Sequence, residues 1–242
     1  MVCEPFSQWV LEDQFPAARP PFEASGAQLV EDVLPYELMK LRLLNAGHQA
    51  IAYLGVLAGY RYAHEAAQDP LFSRFLRAYM ENEATPTLAP VPGVDLDAYR
   101  RGLVARFANP AVADTLARLA TDASDRIPAF LLPVVHERLA QGSSTPLAAL
   151  VVAAWARYAE GMDEQGAAID VVDRRRDAVT DRALRNREEP LAFLRDESLF
   201  GDLANNPAFT SHYTAALRSL HAHGARETLR RWLDSSDSVK DA

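Results

Sequence analysis

Apolar residues recur at helical spacing over most of this chain, and the breaks in that pattern coincide with prolines and glycines. Tyr36 to Tyr60 is apolar-rich and free of proline, and Pro35 stands where a first helical turn tolerates it, so one long helix is predicted there. Gly47, Gly55 and Gly59 fall inside it. A glycine costs about 1 kcal/mol in a helix interior, so all three positions predict close packing of a neighbouring helix. A second helix fits Leu71 to Glu83, and residues 84–94, with Pro86, Pro90 and Pro92, read as a loop. Asp95 to Phe107 is helical and stops at Asn109-Pro110; a further helix is predicted over Ala111 to Thr121, with Val112, Leu116 and Leu119 on one stripe. Pro128 and Pro133 divide residues 125–140 into two helices or kink one. Leu147 to Glu160 is apolar at nearly every position, which predicts a helix buried on most sides. Residues 161–178 read as a turn and an irregular piece. Four short helices then fill Thr180 to Leu233, with a break at Asn205-Asn206-Pro207.

Strand-like text is almost confined to the start. Glu4 to Leu11 reads as extended, and Pro16, Pro20 and Pro21 forbid a regular helix after it. The predicted organisation is an extended inter-domain lead-in over residues 1–24, one helical domain over 25–233 and a polar tail over 234–242. The predicted fold class is all-α and multi-helical, with no internal repeat.

Composition narrows the function classes. A chain of 242 residues buries a core without staples. A net charge of -8 argues against nucleic-acid and anionic-membrane partners. The longest apolar runs, Ala50 to Tyr60 and Pro146 to Ala156, are too short for a bilayer. No charged-then-apolar leader opens the chain, which predicts a cytoplasmic protein. Cys3 is the only cysteine, so no internal disulfide or thiolate metal cluster is expected, and no metal cofactor. Among the 25 basic residues only Lys40 and Lys240 are lysine. Lys240 lies in the polar tail. Lys40 lies in an apolar segment, and a desolvated amine can give up its proton near neutral pH where a guanidinium cannot.

On a helix advancing about 100° per residue, with Lys40 at zero, Glu37 falls near 60°, His48 near 80° and Asn45 near 140°. Polar groups so placed among leucines either face water or are paired. One reading is a wet face with an ordinary i,i+3 pair between Glu37 and Lys40. The other is a general base, Lys40, with Asn45 and His48 beside it to grip and polarise an oxygen.

The segment from Pro35 to His48, with its Lys-x4-Asn-x2-His spacing at Lys40, Asn45 and His48, closely resembles the signature helix of the polyol-specific long-chain dehydrogenases, which include mannitol 2-dehydrogenase and the mannonate and altronate oxidoreductases. Glu4-Pro5-Phe6-Ser7-Gln8-Trp9-Val10-Leu11-Glu12-Asp13 is similar to that family's approach to its second domain. Asp122 to Pro128, Phe193-Leu194-Arg195-Asp196 and Phe200-Gly201-Asp202-Leu203 resemble further family blocks in the same order. The resemblance implies a helical substrate domain related to the C-terminal domain of 6-phosphogluconate dehydrogenase. It implies NAD as cofactor without zinc, and a polyol or ketose substrate, nearest to D-mannitol and D-fructose. It assigns Lys40 as general base, Asn45 to an oxyanion pocket, His48 to a substrate oxygen and Glu37 to proton passage at the mouth. It assigns Arg118 to a substrate hydroxyl, and Arg126 stands where a lysine or arginine occurs.

The family's enzymes are about twice this long, and their first half is a nicotinamide-binding Rossmann domain. No Gly-x-Gly-x-x-Gly and no strand–helix alternation occur here, so such a domain, in cis or in trans, is an expected partner. The chain alone is expected to be inactive, with the Lys40 side of its first helix open. A helical sugar-binding or scaffolding module without catalysis is the alternative, and a uronate-reducing domain is a second. Other features point to ordinary structure. His221 and His223, two apart, would diverge on a helix, and His64, His136 and His212 have no partner spacing. Arg174-Arg175-Arg176 reads as a solvated face, and Trp155 and Trp232 as core. Trp9, in a family block, is the tryptophan with a possible role at the junction.

Overall fold

The structure, a computed structural model, describes residues 6–240, with side chains through Asp234. Cys3, Glu4 and Pro5 of the lead-in and Asp241 and Ala242 of the tail lie outside the described residues. The described part of the lead-in carries a short strand and, from Phe22, a 3₁₀ turn. It forms β1 (Val10–Glu12), which pairs in parallel with β2 (Gln28–Val30) in the register Val10–Gln28, Leu11–Leu29, Glu12–Val30. Trp9 packs edge-on against Phe22, ring centres 5.7 Å apart, and stays 44% exposed.

The long first helix forms, but not as a uniform α-helix. It consists of α1 (Leu34–Met39), a π-helical stretch over Lys40–Asn45 and α2 (Ala46–Leu57), with Pro35 in the first turn. Close packing holds for two of its three glycines. A Cβ at Gly47 would lie 3.3 Å from Leu76 and Phe107, and one at Gly55 only 2.7 Å from Leu116. Gly59 is different: it has open space around it and φ of +87°, and it ends the helix in a left-handed turn.

Next come α3 (Ala63–Gln68) and α4 (Pro70–Ala78), with the Asp69 carboxylate capping α4 by accepting from the Leu71 N–H at 2.8 Å. A second π stretch, Tyr79–Ala84, extends α4. The proline loop leads to α5 (Leu96–Phe107), capped by Asp95. The helix expected over Ala111 to Thr121 shrinks to α6 (Leu116–Leu119), and Val112 is exposed. The backbone is diverted because Ala113 adopts φ of +48° and the chain after it bridges to residues 61–63 through Ala63 N–H to Asp114 O (2.9 Å) and Leu116 N–H to Arg61 O (3.0 Å). Local stripe and tertiary pairing compete here, and pairing wins.

The two prolines of 125–140 each open a new winding. After α7 (Ala123–Arg126), Pro128 begins a third π stretch, Ile127–Leu131, and Pro133 begins α8 (Leu132–Ala140). Helix α9 (Pro146–Ala159) is buried from Leu147 through Ala159, as its sequence demands. Then α10 (Arg176–Arg185), α11 (Glu197–Phe200) and α12 (Pro207–Lys240) complete the fold. Helix α12 breaks at Gly224 and continues through the predicted polar tail, whose backbone is helical to Lys240. Among the described residues no helix is long and apolar enough to cross a membrane.

The core is organised around α9, which packs against α2, α10 and α12. Trp155 meets Phe193 edge-on at 4.8 Å and Phe200 at 5.7 Å, all three fully buried. Buried Glu83 caps α9, accepting from the N–H groups of Leu147 (2.7 Å) and Ala148 (2.8 Å). Trp232 is half-buried, its indole N–H on Pro146 O at 3.2 Å. The Arg174-Arg175-Arg176 face is not purely solvated: Arg175 pairs with buried Asp196 at 2.7 Å. His221 faces the buried Glu160 carboxylate at 2.6 Å.

Candidate active site

The π stretch decides how the candidate groups are presented. Its inner side is pinned by Arg42, a buried guanidinium that donates to Glu137 Oε2 at 2.6 Å and to Thr87 O at 2.5 Å. It also packs against both other π stretches. Lys40 and Glu37 are exposed on the outer side, and they form no ion pair among the described residues, so the i,i+3 pairing reading is not realised. A π turn closes i to i+5 and takes an extra residue, so the arc drawn at 100° per residue does not apply past Lys40. Lys40 precedes Asn45 by that same five-residue repeat. The extra residue reduces the separation of about 140° that uniform α winding would give the two.

Asn45, His48, Arg118 and Arg126 line one open recess of about 230 Å³, together with Gln49, Leu119 and Phe130. Two regions distant in sequence, the long helix and the α6–α7 segment, thus converge. The long helix contributes Asn45 and His48, α6 contributes Arg118, and α7 contributes Arg126. Lys40 and Glu37 do not line the recess; they stand on the exposed rim of the same helix.

Each lining group is held differently. His48 is stacked on Phe107, ring centres 4.3 Å apart and planes 26° from parallel. Burial pushes its imidazole down to about 4, and the guanidinium groups of Arg118, Arg106 and Arg126 push the same way while Asp114 opposes them. At neutral pH the ring is therefore uncharged, with one nitrogen to donate and one to accept. Arg118 is engaged by Asp114: its Nε donates to Oδ1 at 2.6 Å and its Nη2 to Oδ2. Arg126 donates from Nη1 to Leu119 O at 3.0 Å.

Sequence reasoning passed over Gln49 and Tyr53. Gln49 is buried and donates from Nε2 to Leu119 O at 3.2 Å, and buried Tyr53 donates its hydroxyl to Gln49 Oε1. The carbonyl that ends α6 thus receives both Gln49 and Arg126. A glutamine directly after His48 in an otherwise apolar run is the signal that could have found it, since a buried amide must find partners. Asp114 was missed although it stands four residues before Arg118, a spacing that pairs acid and base on a helix as well as in the turn found here. On the far side of His48 a smaller recess of about 120 Å³ is lined by Asp114, His64, Arg106 and Asn109 over an apolar floor.

A sequence profile described as the mannitol dehydrogenase C-terminal domain matches residues 32–221. The chain belongs to that family. It is 40% identical over 236 residues to mannitol dehydrogenase 2 of Saccharomyces cerevisiae, covering 97% of this chain and 47% of the relative. It is likewise 40% identical over 238 residues to a mannitol 2-dehydrogenase of Aspergillus terreus, again 97% and 47%. Among solved structures, the Pseudomonas fluorescens mannitol 2-dehydrogenase ternary complex with NAD and D-mannitol superposes with a TM-score of 0.91 at 44% identity, covering 96% of this chain and 47% of that one. A substrate-free D-sorbitol dehydrogenase gives a TM-score of 0.84 at 28% identity, with 93% and 46% covered. The chain spans about half the length of the relatives it matches. The all-helical C-terminal-domain fold expected from the sequence is shared with these neighbours.

Proposed function

We propose that this chain is the substrate-binding and catalytic half of a cytoplasmic NAD-dependent polyol dehydrogenase that interconverts D-mannitol and D-fructose. The observation that carries the reading is the convergence of Asn45, His48, Arg118 and Arg126 on one open recess, one π turn from the unpaired, exposed amine of Lys40. The names of the Saccharomyces, Aspergillus and Pseudomonas relatives, and the NAD and D-mannitol of the last, support the substrate and cofactor.

The residues here fit the reacting end of such a cofactor and not its nucleotide. The rim is uncovered, with Leu34 half-exposed at the start of α1, whereas the sheet is a three-residue parallel pair without a glycine-rich turn. The nucleotide is therefore held by a second, nicotinamide-binding domain in cis or in trans. NAD, when bound, would supply the hydride acceptor for the carbinol carbon. The remaining work falls to this chain. Lys40 takes the hydroxyl proton as the C=O bond forms. Asn45 donates its amide N–H to the oxygen on which charge develops. Uncharged His48 hydrogen-bonds that oxygen or its neighbour, Arg118 and Arg126 engage further hydroxyls, and Glu37 on the rim passes the proton to water.

The test is an assay with D-mannitol or D-fructose and NAD(H), on this chain alone and mixed with the separately expressed nicotinamide-binding domain of a relative. Turnover is expected only in the mixture, and Lys40→Ala is expected to lower kcat by at least about 10²-fold. A folded wild-type chain that stays silent in both samples overturns the reading.

A further inference from the structure

We propose that Asp114 is a positioning residue: it clamps Arg118 side-on, so that the outer Nη1 edge of the guanidinium is presented to a substrate hydroxyl in the recess. The inference rests on the proposed polyol reading. Its physical basis is a division of donors. A guanidinium has five N–H groups in a rigid planar fork. Asp114 takes two of them, from Nε at 2.6 Å to Oδ1 and from Nη2 to Oδ2. The Nη1 group has no partner among the described residues, and Arg118 lines the recess with its side chain 62% exposed. A long side chain with that much exposure is free to sweep many rotamers, and holding it from one edge removes that freedom before substrate arrives.

The clamp is built into the backbone. Ala113 is in the left-handed region, with φ of +48°, a conformation a residue bearing a Cβ adopts only where its surroundings require it. The following residues are fixed by the bridge to residues 61–63, with Asp114 O accepting from Ala63 N–H at 2.9 Å. Asp114 thus comes from a strained, fixed corner and not from a flexible loop tip. Its carboxylate is mostly buried, at 17% exposure, and also lines the small recess behind His48. An acid placed to pair with Arg118 for stability alone would need none of this, because an ion pair on so exposed a partner adds little to folding.

The test uses the chain mixed with the nicotinamide-binding domain, and separately the chain alone by NMR. Asp114→Asn, Asp114→Ala and Asp114→Glu are compared with wild type, and circular dichroism checks that each folds. Asp114→Ala is expected to raise KM for D-mannitol about tenfold while kcat changes less than threefold, with Asp114→Glu between it and wild type. In the chain alone, a slowly exchanging Arg118 Nε–H signal present in wild type is expected to vanish in the alanine and asparagine variants. The His48 midpoint is expected to fall further, because the Asp114 charge holds it up. If the Arg118 signal is lost and KM does not move, the proposal is overturned. The same holds if kcat falls as much as kcat/KM. If wild type itself shows no turnover with any polyol, the functional reading fails first and the proposal goes with it. That failure is recognised in wild type and not in the variants.

Discussion

At the scale of single residues the site depends on burial more than on charge. His48 would be half protonated near pH 6.5 in water, but contact with Phe107 and the surrounding apolar wall brings it to about 4. The His48 proton resonances should therefore titrate with a midpoint near 4 in the chain alone. A midpoint near 6.5 would show that water reaches the ring and would remove the basis for its neutral role. Phe107→Ala, which opens the ring to solvent, should raise the midpoint towards the ordinary value. Asn45 and His48, expected together from their spacing on one helix, line one recess, whereas Lys40, expected beside them, is exposed outside it. Arg118 was legible only by resemblance. Its pairing with Asp114 is legible as an i,i+4 spacing, whereas the burial of the Asp114 carboxylate in the turn after Ala113 is tertiary. Gln49 was hidden for a related reason: a buried amide is identified by its partners, Tyr53 and Leu119 O, and both are tertiary.

At the scale of elements the unexpected feature is the winding. Hydrophobic periodicity located the long helix within a few residues at either end, yet it could not show that Lys40–Asn45 is π-wound, because that choice is made by Arg42 and by the neighbouring π stretches packed against it. The glycines allow the packing account to be tested. Gly55→Ala puts a Cβ 2.7 Å from the Leu116 side chain, which is fully buried and has little room to yield. That overpacking should cost about 1–3 kcal/mol. It should also displace α6, and with it Arg118 and the Leu119 carbonyl, so KM for the polyol rises in the reconstituted enzyme. Gly59→Ala meets nothing within 4 Å and pays only for its left-handed backbone, about 1–2 kcal/mol, with KM unchanged. Urea unfolding and the mixed-domain assay separate the two. Equal effects on KM would mean that α6 is not held by α2. The expected helix over Ala111 to Thr121 loses its first half to the Ala113 turn and the bridge to residues 61–63, and its shortened end places the Leu119 carbonyl on Gln49.

At the scale of the whole molecule two buried titratable groups oppose one another. Glu83, under the first turn of α9, is pushed up to about 7 by burial, which outweighs the two N–H groups it accepts. The folded state therefore holds a proton on Glu83 that the unfolded state has lost, and its contribution to stability is complete below about pH 4.5 and disappears as pH rises through about 7. For His48 the sign reverses. Its folded value of about 4 lies below the unfolded 6.5, so its contribution is complete above pH 6.5 and is lost as pH falls through about 4. Each difference between folded and unfolded values is some 2.5, or about 3.5 kcal/mol at about 1.4 kcal/mol per pH unit. The windows overlap almost entirely, so between pH 4.5 and 6.5 the two slopes cancel and wild-type stability should be nearly level with respect to this pair. Removing either group exposes the other. Glu83→Gln keeps an acceptor for the α9 N–H groups, and its stability relative to wild type should increase as pH is raised from 5 to 7.5. His48→Gln should show the opposite trend, losing stability relative to wild type over the same interval. Chemical unfolding of the three proteins at four or five pH values reads both slopes directly. A Glu83→Gln difference that stays constant with pH would mean that Glu83 is ionised in the fold at pH 5, and that its two backbone donors outweigh its burial.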